Sequence, residues 1–122
     1  MAKRILLIDD DSTIRELYVE ILKGEGFEVE TAQDGEEGLT KIKQGGWNLI
    51  LLDVMMPKID GLGVLTKLEE TNKKPDAPII LLTNLAHDPA IAKAIQKGAK
   101  TCLIKADLNP NEFVAKISQF VT

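Results

Sequence analysis

Apolar and polar positions along this chain fall into two alternating periods. Short runs of branched and leucine side chains occur at Ile5–Ile8, Phe27–Thr31, Leu49–Leu52, Ile79–Leu82 and Thr101–Ile104. Runs of this length, bounded by Asp, Asn, Gly or Pro, read as strands. Between them apolar residues recur at helical spacing. Ile14, Leu17, Tyr18, Ile21 and Leu22 form a stripe that stops at Gly24 and Gly26. Asp34 caps a second helix, with Glu36 and Glu37 in its first turn, Leu39 and Ile42 inside, and Gly45-Gly46 ending it. Leu62, Leu65 and Leu68 mark a third, stopped before Pro75. Asp88-Pro89 opens a fourth, with Ile91, Ala94 and Ile95 inward and Gly98 as the stop. Asn109-Pro110 repeats that device, with Glu112 as a capping-box glutamate ahead of Phe113, Val114, Ile117 and Phe120.

Strand and helix alternating five times predict an α/β fold, a parallel sheet covered on both faces. The periodicity does not give the strand order. In such sheets ligands bind beyond the carboxyl ends of the strands. The residues that follow the apolar runs are therefore the informative ones. Asp9, Asp10 and Asp11 follow the first, Asp53 the third, Thr83 the fourth and Lys105 the fifth.

At 122 residues the chain is expected to form one domain, residues 1–122. Its 44% hydrophobic and 28% charged content is that of an ordinary globular protein. A net charge of −4 without a basic face argues against direct nucleic-acid binding. Cys102 is the only cysteine, which excludes an intramolecular disulfide and suits a reducing compartment. The basic start MAKR precedes only four apolar residues before three aspartates, too few for a signal peptide. No apolar run approaches membrane-spanning length, so a cytoplasmic location is expected.

Acids gathered at one sheet edge repel unless a cation joins them. An oxygen-only set suits Mg²⁺, which accepts one or two carboxylates, keeps waters and leaves room for phosphate. Lys105 and Thr83 add a positive charge and a hydroxyl suited to phosphate oxygens. Asp53, at the end of a strand buried on both faces, then reads as a carboxylate nucleophile for phosphoryl transfer. Asp11 reads as a helix cap, His87 as a loop residue, Trp47 as packing, and Met55 and Met56 as gap-fillers.

Asp9-Asp10, the segment LLDVMMPKIDG at 51–61, LLT at 81–83 and the pair Ile104-Lys105, in this order, resemble the response-regulator receiver domains of two-component signalling. The resemblance covers essentially the whole chain. It implies a doubly wound, flavodoxin-like (βα)5 sheet in the order 2-1-3-4-5. It implies that Asp53 takes a phosphoryl group from a sensor histidine kinase or phosphotransfer protein. Asp10, Asp53 and the Met55 carbonyl would hold Mg²⁺, with Asp9 supporting it through water. Thr83 would bond the phosphoryl group, and Lys105 would pair with Asp53 or its phosphate. A downstream protein would dock on the 88–121 face, switched through Thr83 and the position of Cys102. Such a chain is a signalling receiver rather than an enzyme, catalysing only its own phosphorylation and slow autodephosphorylation. With the first strand near Met1 and the last helix near Thr122, no output domain fits in it: the expectation is a protein that stands alone and docks a partner, the alternative a piece cut from a longer regulator.

Three positions depart from the family's usual pattern. Ala106 replaces the proline that commonly follows the lysine, and a cis bond before alanine costs ~2.5–4 kcal/mol, so a trans bond is expected there. Cys102 replaces an aromatic residue whose ring moves with the threonine. Asn84 replaces a small residue beside the site. Other classes fit less well. A haloacid-dehalogenase-type phosphohydrolase needs a second acid where Met55 stands, and a dinucleotide-binding domain needs a GxGxxG loop after the first strand. A degenerate receiver, working as a constitutive interaction module, would be expected to have lost the acids, threonine and lysine kept here.

Overall fold

The computed structural model describes residues 2–84, 89–105 and 109–121. Its strands are β1 (Arg4–Ile8), β2 (Glu28–Ala32), β3 (Leu49–Asp53), β4 (Ile79–Thr83) and β5 (Thr101–Ile104). Its helices are α1 (Ser12–Gly24), α2 (Gly35–Gln44), α3 (Gly61–Glu70), α4 (Pro89–Gln96) and α5 (Pro110–Phe120). All strand pairs are parallel, in the order β2-β1-β3-β4-β5. Every expected strand and helix is present.

Two strands extend further than their apolar runs. Asp53 pairs in register with Leu82, and Thr83 with Ile104, so the acid and the hydroxyl belong to the ladders themselves. The second strand starts one residue later than expected. Phe27 instead closes α1, its N–H donating to the Leu22 carbonyl at 3.2 Å.

Residue alternation divides the core between the two faces of the sheet. Leu6, Ile8, Ile50, Leu52 and Leu81 pack on one side with Ile42 of α2 and Val64, Leu65 and Leu68 of α3. Ile5, Leu7, Leu51, Ile80 and Leu82 pack on the other with Tyr18 and Leu22 of α1 and Phe113 and Ile117 of α5. Burying each such side chain contributes ~1.5–3 kcal/mol. The rings of Tyr18 and Phe113 stack with centroids 4.4 Å apart, which joins α1 to α5.

Short polar side chains cap the helices as the sequence implies. Asp11 accepts from the N–H groups of Thr13 and Ile14, Asp34 from Glu37, and Asn109 from Glu112. The Glu112 carboxylate accepts from the Asn109 side chain at 2.7 Å, where a standard capping box would use the cap's backbone N–H. Asp60, not singled out from sequence, caps α3 through Gly63 N–H at 2.7 Å. The expected Asp88 cap lies outside the described residues.

Trp47 is buried ahead of β3 in the packing role expected of it. Its indole N–H donates to the Lys41 carbonyl at 2.8 Å, and the Arg4 guanidinium sits 4.4 Å from the ring centroid.

The return from β3 into α3 is tight enough to exclude a side chain at its end. A Cβ on Gly61 would stand 2.6 Å from the Asp53 carbonyl oxygen and 3.0 Å from Val54 Cα, both backbone atoms. Gly61→Ala is therefore expected to cost ~1–3 kcal/mol through overpacking. Gly24→Ala, where nothing lies within 4 Å, is expected to be neutral or stabilising by up to ~1 kcal/mol. Urea unfolding midpoints of the two variants check the contrast, and equal midpoints would contradict it.

Candidate functional site

The carboxyl ends of β1, β3, β4 and β5 deliver the expected residues to one edge. Asp10, Asp53, Met55, Thr83, Asn84 and Lys105 line a cleft of about 380 Å³ there, with Asp11 at its rim. Asp9, Asp53 and Thr83 are buried, Asp9 completely, whereas Asp10 is exposed.

Each buried charge has compensation. The Lys105 ammonium lies 2.8 Å from Asp9 Oδ2 and 3.4 Å from Asp53 Oδ2, its side chain only 8% exposed. The N–H of Asp11 donates to Asp9 Oδ1 at 3.0 Å, and that of Met55 to Asp53 Oδ1 at 3.3 Å. Lys105 therefore reaches the site, and its shorter bond goes to Asp9, whereas family resemblance drew attention to Asp53.

Electrostatics set the two central groups apart. Burial, followed by the neighbouring charge of Asp9, pushes the Asp53 carboxyl up to about 7 despite the opposing Lys105 charge. Burial alone would lower Lys105. The bond to Asp9 and the charges of Asp53 and Asp9 outweigh it and hold the ammonium above its ordinary range.

One carboxylate oxygen from each of Asp9, Asp10 and Asp53 lies within 4.8 Å of the others. Receiver domains bind Mg²⁺ at an acidic pocket of this kind. An oxygen-only cluster that is short of positive charge and open on the Asp10 side suits that hard cation, which retains part of its water shell.

Several features escape a reading of the sequence. Met55 is 68% exposed, so the gap-filler expectation is wrong for it. The turn after Asp53 points it outward, while Met56 packs against the core as expected. Lys58 takes a left-handed backbone (φ 67°), and its ammonium lies 3.5 Å from Asp34 at the start of α2. Arg15 Nη1 donates to the Asp9 carbonyl at 2.8 Å. The one signal for Arg15 was a cation near a helix N-terminus, where the macrodipole disfavours it. Cys102 is half-buried against the core. Leu85, His87 and Ala106 lie outside the described residues.

Residues 5–118 match the family described as response regulator receiver domain. The probable transcriptional regulator ycf27 of Cyanophora paradoxa is 42% identical over 115 residues, covering 94% of this chain and 46% of that protein. The chain thus spans about half the length of such curated relatives. Among solved structures, a CheY-like receiver domain protein from Methanospirillum hungatei superposes with TM-score 0.86 at 33% identity, covering 98% of this chain and 93% of that one. TrrA of Thermotoga maritima, solved in complex with Mg²⁺-BeF, has TM-score 0.80 and 38% identity, covering 98% of this chain and 99% of its own. No helix among the described residues is long and apolar enough to cross a membrane.

The position of Asp53 has a measurable cost in the absence of metal. In the folded protein it keeps its proton to about pH 7, against 3.8 for an ordinary aspartate. Between these values the native state binds the extra proton, so this group's contribution to stability falls as pH rises and is lowest above about pH 7. In EDTA-containing buffer the stability of Asp53→Asn relative to wild type is expected to grow from pH 4 to pH 8. Urea midpoints across that range measure it. A difference independent of pH would contradict the assignment.

Proposed function

This chain belongs to the family of response regulator receiver domains, and from that premise we propose that Asp53 accepts a phosphoryl group from a histidine kinase or phosphotransfer protein. The observation that carries the reading is the company Asp53 keeps. It is a buried carboxylate with Lys105 at 3.4 Å, beside Asp9 and Asp10, in a cleft that Thr83 also lines.

In the reaction a carboxylate oxygen of Asp53 attacks phosphorus in line. The bond from phosphorus to the donor's imidazole nitrogen breaks, its electron pair leaves with that nitrogen, and an aspartyl acyl phosphate forms. Lys105, already within reach of Asp53, compensates charge on the phosphoryl oxygens, and the Thr83 hydroxyl donates to one of them. Asp10, Asp53 and the Met55 carbonyl would hold Mg²⁺, with Asp9 supporting it through water. When bound, the ion neutralises and orients phosphoryl oxygens. Asp9 suits an indirect role because both its oxygens are engaged at 3.0 Å or less, by Asp11 N–H and Lys105.

The downstream face comprises α4, β5 and α5, where Ile95 is exposed at 45%. Thr83 moving toward the phosphoryl group is the trigger. Cys102 replaces the aromatic residue common in the family, so coupling between trigger and face is weaker than with a ring. The name of the longer Cyanophora relative supports an output in transcription, reached through a protein partner rather than by nucleic-acid contacts of this domain.

Acetyl phosphate with Mg²⁺ is expected to add one phosphoryl group, read as a mass shift. Asp53→Asn abolishes it, and Asp10→Ala loses both metal binding and phosphorylation while remaining folded. Normal labelling of Asp53→Asn would sink the proposal. The acyl phosphate is also expected to be long-lived. The positions two beyond Asp53 and two beyond Thr83 are Met55 and Leu85, and neither side chain orients water by a strong hydrogen bond. Loss of such a contact typically costs ~10²–10⁴ in rate, and the smaller end applies because Mg²⁺ and Lys105 remain. Met55→Asn and Leu85→Glu should each speed decay once the donor is removed, and more so together. A wild type that decays as fast as the double variant rules this out.

A further inference from the structure

The acidic pair is held by a residue that lies outside the cleft. β1 ends at Ile8, which pairs with Ala32 on one side and Leu52 on the other. The Asp9 N–H makes one more bond, to the Ala32 carbonyl at 3.1 Å. Beyond that point the chain turns toward α1, and Arg15 supplies the donor to the Asp9 carbonyl at 2.8 Å. That carbonyl belongs to the peptide joining Asp9 to Asp10. A charge-assisted bond at its oxygen fixes the peptide plane, and with it the Cα from which the exposed Asp10 carboxylate projects. Arg15 stands four residues beyond the cap Asp11, near a helix N-terminus that disfavours a cation. Its side chain is half-buried there.

We propose that Arg15 is a positioning residue for Mg²⁺, acting through the Asp9–Asp10 peptide rather than by touching the ion. The inference rests on the receiver reading above and adds a determinant of its metal affinity. Mg²⁺ demands near-octahedral geometry, so freedom in a carboxylate's backbone is lost as affinity. Partners that orient metal ligands are typically worth ~10–100-fold in affinity.

A purely electrostatic role makes the opposite prediction. Arg15 is a cation beside a cation site, so removing its charge alone would tighten Mg²⁺ binding. Arg15→Met removes both the charge and the donor. Arg15→Lys keeps the charge and replaces the forked donor with a single shorter one.

The test is calorimetric titration of wild type, Arg15→Lys and Arg15→Met with Mg²⁺ alone. It is paired with the Mg²⁺ dependence of acetyl phosphate labelling and with urea midpoints in EDTA. Arg15→Met is expected to raise the Mg²⁺ Kd by roughly 10-fold, the lower end because the lost charge partly offsets the lost bond. Arg15→Lys falls between it and wild type. The half-saturating Mg²⁺ for labelling should rise by the same factor, with the rate at saturating Mg²⁺ near wild type. Arg15→Met that binds Mg²⁺ as tightly as wild type, or more tightly, overturns the inference and leaves the receiver reading intact. So does a lowered urea midpoint with unchanged Kd, which marks a merely structural bond. A wild type that takes up no Mg²⁺ overturns the metal reading and this inference with it.

Discussion

The structure depends on keeping negative charge where a hydrophobic sheet would not otherwise admit it. Asp9 and Asp53 are buried at the ends of adjacent strands, and one ammonium serves both. An unpaired buried charge is heavily penalised, and two adjacent ones more so. Lys105 must therefore arrive from β5, two strands away from β3, and the strand order makes that possible. Even so the compensation is incomplete, which is why Asp53 titrates far above an ordinary aspartate. A site left short of positive charge suits a divalent cation.

The scaffold around this site is rigid for ordinary reasons. β3 and β4 are buried along their whole length, so neither can slide without exposing apolar side chains or burying the wrong ones. Asp53 and Thr83 end those two strands in register with their neighbours. Backbone approach does the rest at Gly61, where the turn closes on the carbonyl of Asp53 itself. Lys58 adds a link from the same loop to the start of α2.

Much of this was legible in the sequence because buried parallel strands leave unbroken apolar runs and capped helices carry short polar residues at their starts. All ten elements and the edge residues follow from those two signals. The second strand starts one residue after its apolar run begins because it is an edge strand, where Phe27 belongs to the run but bonds back to α1. Met55 departs from the gap-filler expectation because a turn's side-chain direction is set by backbone dihedrals that periodicity does not carry. The strand order, and most site roles, came from family resemblance rather than from pattern. The preference of Lys105 for Asp9 and the reach of Arg15 to a carbonyl are distances between remote or non-periodic atoms, and no local signal encodes them.

Trp47 lies at the opposite end of β3 from Asp53. Six residue steps, most of them within the five-residue strand, put at most roughly 20 Å between them. Its indole is buried, bonded to the Lys41 carbonyl and covered by Arg4. As the sole tryptophan it is the natural fluorophore of this protein, and its emission follows the collapse or loss of the whole core. A side chain at that distance from the carboxylates, with its own buried surroundings, is not a direct reporter of them, so a silent emission spectrum on adding metal or phosphoryl donor says nothing against either one binding.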